Sequence, residues 1–219
     1  MTTCRAPGCG ARTTRYGRYC NTHKSRLRRH GDAEQKTITK TNLKPYLDLI
    51  ERRRLTNSTN TFWAALEQRW DSVCGDAEAT IGFLSTRAGL RSDLQSAHEL
   101  QKLRSSCEPQ AVIDTTMAMF MMVEMEPRRF RSDDAFRLQL VRRVRGLTET
   151  NAGRWFDDRT GRVKRAYRDL PPRTARTMAS ILAKAFGGGG LTLAKLEQRD
   201  RENRHRATDA LAQGAATLA

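Results

Sequence analysis

The stretch EPQAVIDTTMAMFMMVEMEP constrains the fold more than any other part of the chain. Pro109 and Pro127 bracket it, and from Val112 to Val123 apolar residues fall on nearly every face a helix would present. A helix that is apolar all round has to be covered on all sides. The segment is therefore expected to be the central helix of a mainly α-helical body. Its methionines (Met117, Met119, Met121, Met122 and Met125) are read as core; the other use of such a cluster is a pliable partner-binding surface.

Helical spacing recurs on both sides of this segment. In NLKPYLDLIERRR, Asn42 is a candidate cap, Pro45 lies in the first turn, and Leu43, Tyr46, Leu47 and Ile50 share a face. TNTFWAALEQRWDSVCG lines up Phe62, Leu66, Trp70 and Val73, with Gly75 as the expected stop. DAEATIGFLSTRAG and SDLQSAHELQKLRSS predict two more helices, the first closed by Gly89. In SDDAFRLQLVRRVRG, Ser132 and two acids start a helix and Gly146 ends it. Phe136, Leu140, Val141 and Val144 face one way, and arginines fill the remainder. TGRVKRAYRDL reads as a short basic helix. PPRTARTMASILAKAFGGGG opens with prolines suited to a first turn and closes in four glycines, read as a break and hinge. The tail from Leu191 is expected to be a solvent-exposed helix or a segment that orders on a partner. Outside the N-terminus no alternating run predicts a strand. The resulting division is residues 1–33, a small module; 34–58, a basic linker and helix; 59–186, the helical domain; and 187–219, the glycine hinge and helical tail.

The module is a problem of its own, because so short a segment has almost no core to bury. It carries Cys4-x4-Cys9-x10-Cys20-x2-His23. Four soft or borderline ligands in two close pairs suit tetrahedral zinc, and Cys3His is a standard closed set. Pro7-Gly8 supplies a tight turn within the first pair. Cys20 and His23, three apart at the start of a helix, lie on one face of its first turn. A short hairpin around Tyr16-Gly17 would join the pairs. His30 is the alternative fourth ligand, and the x2 spacing favours His23. A disulfide would need an oxidising compartment, for which no secretory signal argues. Without metal such a segment is expected to be unfolded.

The run YGRYCNTHKSRLRRHGD, with the upstream Cys-x4-Cys, resembles the treble-clef-type zinc modules found at the N-terminus of many phage and bacterial mobile-element proteins. In these a Gly-Leu-Cys knuckle precedes a His and a basic helix that ends in His-Gly-Asp. Here Tyr19 replaces the usual Leu. The resemblance covers residues 1–33 and implies Cys4, Cys9, Cys20 and His23 as ligands of one structural zinc. It further implies Lys24, Arg26, Arg28 and Arg29 as a nucleic-acid face.

Charge points the same way. The chain has 40 Lys and Arg against 24 Asp and Glu, net +16, and 32 of the cations are Arg. The guanidinium fork suits phosphate. The excess is uneven: residues 1–54 carry net +10, residues 55–126 carry −5, and residues 127–176 carry +9. Two polyanion-contacting regions around a packing region are expected. The second would use Arg142, Arg143 and Arg145, with Arg162, Lys164, Arg165 and Arg168. Trp155 would anchor the core of this block or else stack on a base.

Catalysis has weaker support. Some related modules sit on HNH-type nucleases, which need a histidine base beside a metal pair. The chain has only His23, His30, His98 and His205, in no such array. Asp133-Asp134 reads as a helix start and Asp157-Asp158 as a turn. Cys74 and Cys107 read as isolated buried thiols. The expected function is a zinc-containing nucleic-acid-binding protein that takes double-stranded DNA, with RNA as the other polymer. A metal-dependent nuclease or recombination enzyme, and a protein adaptor acting through the Met-rich helix or tail, are the competing readings. With no run long enough to span a bilayer, no membrane partner is expected. The expected location is the cytoplasm, with the nucleoid if the source is bacterial.

Overall fold

The structure, a computed structural model, describes residues 2–14 and 16–216, without the side chains of Arg165, Ala166 and residues 214–216. It is mainly helical: α1 (Asn21–His30), α2 (Lys40–Thr56), α3 (Thr61–Thr86), α4 (Arg91–Ser106), α5 (Pro109–Met125), α6 (Asp133–Arg145), α7 (Pro172–Leu182) and α8 (Gly188–Ala216). One antiparallel hairpin, β1 (Ala152–Asp157) and β2 (Arg162–Tyr167), lies between α6 and α7.

Helix α5 is central, as its all-round apolar pattern requires. It packs against α2, α3, α6 and α8, and Met117, Met119, Met121 and Met122 are fully buried. The helix ends follow local chemistry. Thr39, rather than Asn42, caps α2; Asn42 completes the capping box three residues in. Ser132 caps α6, its Oγ accepting the Ala135 N–H at 3.1 Å. The cores of α3 and α4, including Trp70, Leu100 and Leu103, close the far side of the body.

Three expectations are corrected. Gly75 does not stop a helix, because α3 runs through it to Thr86. Its neighbours Val73, Cys74 and Ala77 are buried, so packing on that stripe carries the backbone past the glycine. The basic segment 162–168 is not helical, and residues 162–167 form β2. Its partner strand is also absent from the sequence reading, because neither strand alternates apolar with polar residues.

The four glycines are not a hinge. Residues Ala183–Gly187 form a π-helical turn that leads from α7 into α8 without a break. The glycines let α8 lie close against α5. A Cβ at Gly187 would sit 2.9 Å from the Phe120 ring, and one at Gly190 would sit 2.6 Å from the Met117 carbonyl oxygen. Arg69 donates at 3.1 Å to the Ala185 carbonyl, within the π turn. The first part of α8 buries Leu193 and Ala194, and Arg53 of α2 pairs with Glu197 and Asp200. From Arg201 through Gln213 the helix is exposed. Residues 217–219 of the expected tail lie outside the described residues.

Glycine positions along this turn should therefore respond with opposite sign. Nothing lies within 4 Å of a Cβ at Gly188, so Gly188→Ala should gain up to about 1 kcal/mol of helix propensity. Gly190→Ala should lose about 1–3 kcal/mol by overpacking against α5. Urea unfolding of the two variants beside the parent checks both signs.

Candidate functional site

Backbone geometry brings the N-terminal cysteines together. Cys9 N–H donates to the Ala6 carbonyl at 3.0 Å, closing a turn with Pro7 and Gly8 at its centre. Gly8 has φ +71°, which only a residue without Cβ adopts cheaply. Thr3 pairs with Arg12 across this loop. The strand-like pairing therefore flanks the first cysteine pair, rather than forming a hairpin at Tyr16-Gly17. Cys20 immediately precedes α1, which places His23 at the third residue of the helix, one turn along on the same face.

These side chains form one cluster. The ligand atoms of Cys4, Cys9, Cys20 and His23 all lie within 4.8 Å of one another. His23 Nδ1 is 3.4 Å from Cys4 Sγ and 3.2 Å from Cys20 Sγ. Tetrahedral zinc, with Zn–S of about 2.3 Å and Zn–N of about 2.0 Å, sets S···N separations near 3.5 Å. The donor set and its spacing thus fit one closed, structural metal ion, with no position left for substrate. All five cysteines are free thiols. Burial opposes ionisation of Cys4, yet N–H groups of Cys20 and Ala6 and thiol hydrogen bonds from Cys9 and Cys20 bring it down to about 6. The same thiol contacts push Cys9 up while they bring Cys4 down.

His30, the alternative ligand, has a different task. It is buried at the end of α1, and Gln139 of α6 donates to its Nδ1 at 2.7 Å. Its Nε2–H then faces Thr37 Oγ1 at 3.4 Å, which fixes the tautomer. The other end of the Gln139 amide accepts the Ile38 N–H at 3.1 Å. Burial, followed by the charge of Arg142, keeps the imidazole below its usual pKa. Gly31 follows with φ +80°, and a Cβ there would sit 2.6 Å from the Asp134 backbone. The His-Gly pair of the HGD stretch thus docks the module on α6. Gln35 adds a second clamp, donating to the Arg129 carbonyl and accepting the Arg131 N–H.

This docking brings parts of the two basic blocks together. Arg29 of α1 lies 3.3 Å from Asp169, just past β2, and the same carboxylate accepts from Arg142 of α6 at 2.8 Å. Lys24, Arg26, Arg28 and Arg29 are all exposed on α1, as are Arg162, Lys164 and Arg168 beyond α6. Arg28 and Arg29 border a narrow cleft shared with Arg142, Tyr167 and Asp169. Two further arginines of the first block turn inward, Arg53 to α8 and Arg54 to Asp114.

The arginines of α6 correct the sequence reading. Arg145 is 1% exposed and cannot meet a polymer. It donates to Glu99 at 2.6 Å, to Asn151 at 2.9 Å and to the Arg168 carbonyl at 2.7 Å. Burial raises the carboxyl of Glu99, but hydrogen bonds from Arg145 and Lys102 outweigh it and hold the pKa below the usual range. Arg142 and Arg145 also lie over the Tyr167 ring, at 4.9 and 5.2 Å. Arg143 is only partly exposed, its Nε buried without a partner. The side chain of Arg165 lies outside the described residues.

The paired acids hold structure. Asp134 takes both ends of the Arg176 guanidinium, at 2.9 and 2.6 Å. Asp157 accepts the Arg159 N–H and the Thr160 hydroxyl, closing the hairpin turn, and pairs with Lys164. His98 is an exposed residue of α4. Cys74 is fully buried, and burial pushes its thiol up to about 11. Trp155, by contrast, is 48% exposed and anchors no core.

Two measurements follow from this geometry. Metal analysis should find one zinc per chain and none in Cys20→Ser, with circular dichroism registering the loss of α1. Arg145→Met should cost about 3–5 kcal/mol by taking the buried guanidinium from Glu99, which keeps only Lys102, and from Asn151, while Arg28→Ala should stay within about 0.5 kcal/mol of the parent. Chemical unfolding of the two variants separates the internal arginine from the surface one.

Compared with known protein families, curated proteins and solved structures, the chain matches none.

Proposed function

We propose that the chain is a zinc-stabilised nucleic-acid-binding protein that takes double-stranded DNA on a face contributed by both basic blocks. The observation that carries this reading is the Arg29–Asp169–Arg142 bridge. It joins the end of α1 to the root of the hairpin, across more than a hundred residues of sequence. Cations scattered over a surface are ordinary. Here α1 is fixed by buried hydrogen bonds so that Arg29 reaches Asp169 at the root of the hairpin, next to the exposed Arg168, while Arg26 and Arg28 stay exposed on the same helix.

The division of labour is simple. Cys4, Cys9, Cys20 and His23 would hold one zinc ion, which would fix the fold of the first thirty residues, where little else is buried. Lys24, Arg26, Arg28 and Arg29 then meet phosphates along one stretch of backbone, and Arg162, Lys164 and Arg168 meet another. Phosphate contacts give affinity without sequence and make it steeply salt-dependent. A mobile-element, recombination or regulatory setting rests on the resemblance of residues 1–33.

A salt series on duplex DNA, read by fluorescence anisotropy, tests this. The logarithm of affinity should fall against the logarithm of salt with a slope near −4 or steeper, about 0.9 for each phosphate neutralised. Arg28→Glu and Arg162→Glu should each flatten the slope by about one or more. No retention of duplex DNA or RNA at low salt would refute the reading.

A further inference from the structure

The hairpin carries more than charge. Its strands are in register, with Trp155 opposite Lys164, Phe156 opposite Val163 and Asp157 opposite Arg162. Alternation along a strand sends Trp155 and Phe156 to opposite faces of the ribbon. The helical body covers neither face: Trp155 is 48% exposed, Phe156 59% and Val163 66%. A lone two-stranded ribbon is marginal in water, and exposing a large aromatic on each side makes it more so.

The root of the ribbon is nonetheless firmly built. Arg168 N–H donates to the Asn151 carbonyl at 2.9 Å, and Asn151 is buried against Arg145. Tyr167 is held under two guanidinium groups. At the far end Gly161, with φ +60°, closes the turn that Asp157 caps. The ribbon is thus a braced projection with uncovered aromatic faces, attached where the two basic blocks meet.

Charge indicates what covers it. Residues 152–167 hold five Lys and Arg against two Asp. On the Trp155 face the register places Lys164 directly opposite, its ammonium paired with Asp157 of the same face, and Arg162 diagonally beyond. A ring interleaved with cations suits a polyanion that also offers flat apolar surfaces. Nucleic-acid bases offer those surfaces, and phosphates the charge. Six residues per strand give about 20 Å of ribbon at ~3.3 Å per residue, and a two-stranded ribbon fits the major groove. Within an intact duplex, however, the flat faces of the bases are stacked away from the groove.

We infer that the β1–β2 hairpin enters the nucleic acid and that Trp155 stacks on an unpaired or unstacked base, with Arg162 on a flanking phosphate. The preferred ligand is then DNA carrying an unpaired base, rather than perfect duplex. This rests on the nucleic-acid reading above and specifies which form of the polymer the face selects.

The test uses the full zinc-loaded chain and its intrinsic fluorescence. Trp63 and Trp70 are buried, at 8% and 1% exposure, so quenching on binding reports Trp155. Three ligands are titrated: a short duplex, the same duplex with a one-nucleotide bulge, and its single strand. The bulged duplex and the single strand should quench emission and bind about 5- to 150-fold tighter than perfect duplex, the ratio set by ~1–3 kcal/mol of base–aromatic stacking. Trp155→Ala should abolish the quench and the preference while leaving perfect-duplex affinity nearly unchanged. Trp155→Phe should keep most of the preference, by anisotropy. Thermal unfolding of both variants should match the parent, because the ring supports no core. Equal affinity for all three ligands, or a preference that survives Trp155→Ala, overturns the stacking role and leaves duplex binding standing. Failure to bind any of the three at low salt overturns the nucleic-acid reading itself.

Discussion

The buried amide of Gln139 is the contact on which the functional geometry depends. Its nitrogen donates to His30 at the end of α1, and its oxygen accepts from Ile38 in the segment leading to α2. With both ends satisfied in a dry site, the amide favours one position of the N-terminal module over all others. Losing it would strand a buried imidazole nitrogen and a buried N–H, each costing about 1–3 kcal/mol. Gly31 completes the contact by letting the backbone of α1 meet that of α6 without an intervening Cβ. A Cys/His knuckle that would otherwise swing on a tether is thereby made one surface with the helical body.

A second polar centre does the same for the hairpin. Arg145 ties α6 to Glu99 of α4, to Asn151 and to the chain leaving β2. Residues as far apart in sequence as Glu99 and Arg168 share one guanidinium, whose rigid fork can satisfy several acceptors at once. Arg142, one turn earlier, links the same region to α1 through Asp169. Much of the arginine excess near α6 therefore builds the platform, and the residues left exposed at its edges carry the charge outward.

The parts legible in the sequence were those set by local pattern. The apolar run of α5, the helical stripes around it and the Pro-Gly knuckle between Cys4 and Cys9 all state their own geometry. Elsewhere tertiary context overrides local preference. Gly187 and Gly190 look like breakers because glycine disfavours helices, yet α5 leaves no room for a side chain there. Arg145 looks like surface because it is charged, and no local signal identifies Glu99 as its buried partner. The hairpin lacked an alternating pattern because neither of its faces meets the core. Its available signals were the Trp-Phe and Val-Lys runs around Asp-Asp-Arg-Thr-Gly, a turn that positions Gly161 for positive φ.

The central claim is that metal binding, docking and the basic face form one coupled structure, and hydrogen exchange on the full chain with and without a zinc chelator tests it most directly. Chelation should remove protection from α1 and, through the lost docking contact, from Ile38 and the first turn of α6, while α5 keeps its slow exchange. Loss of protection confined to residues 1–30, with Ile38 and α6 unchanged, would contradict the coupling and reduce the N-terminal module to an independent bead.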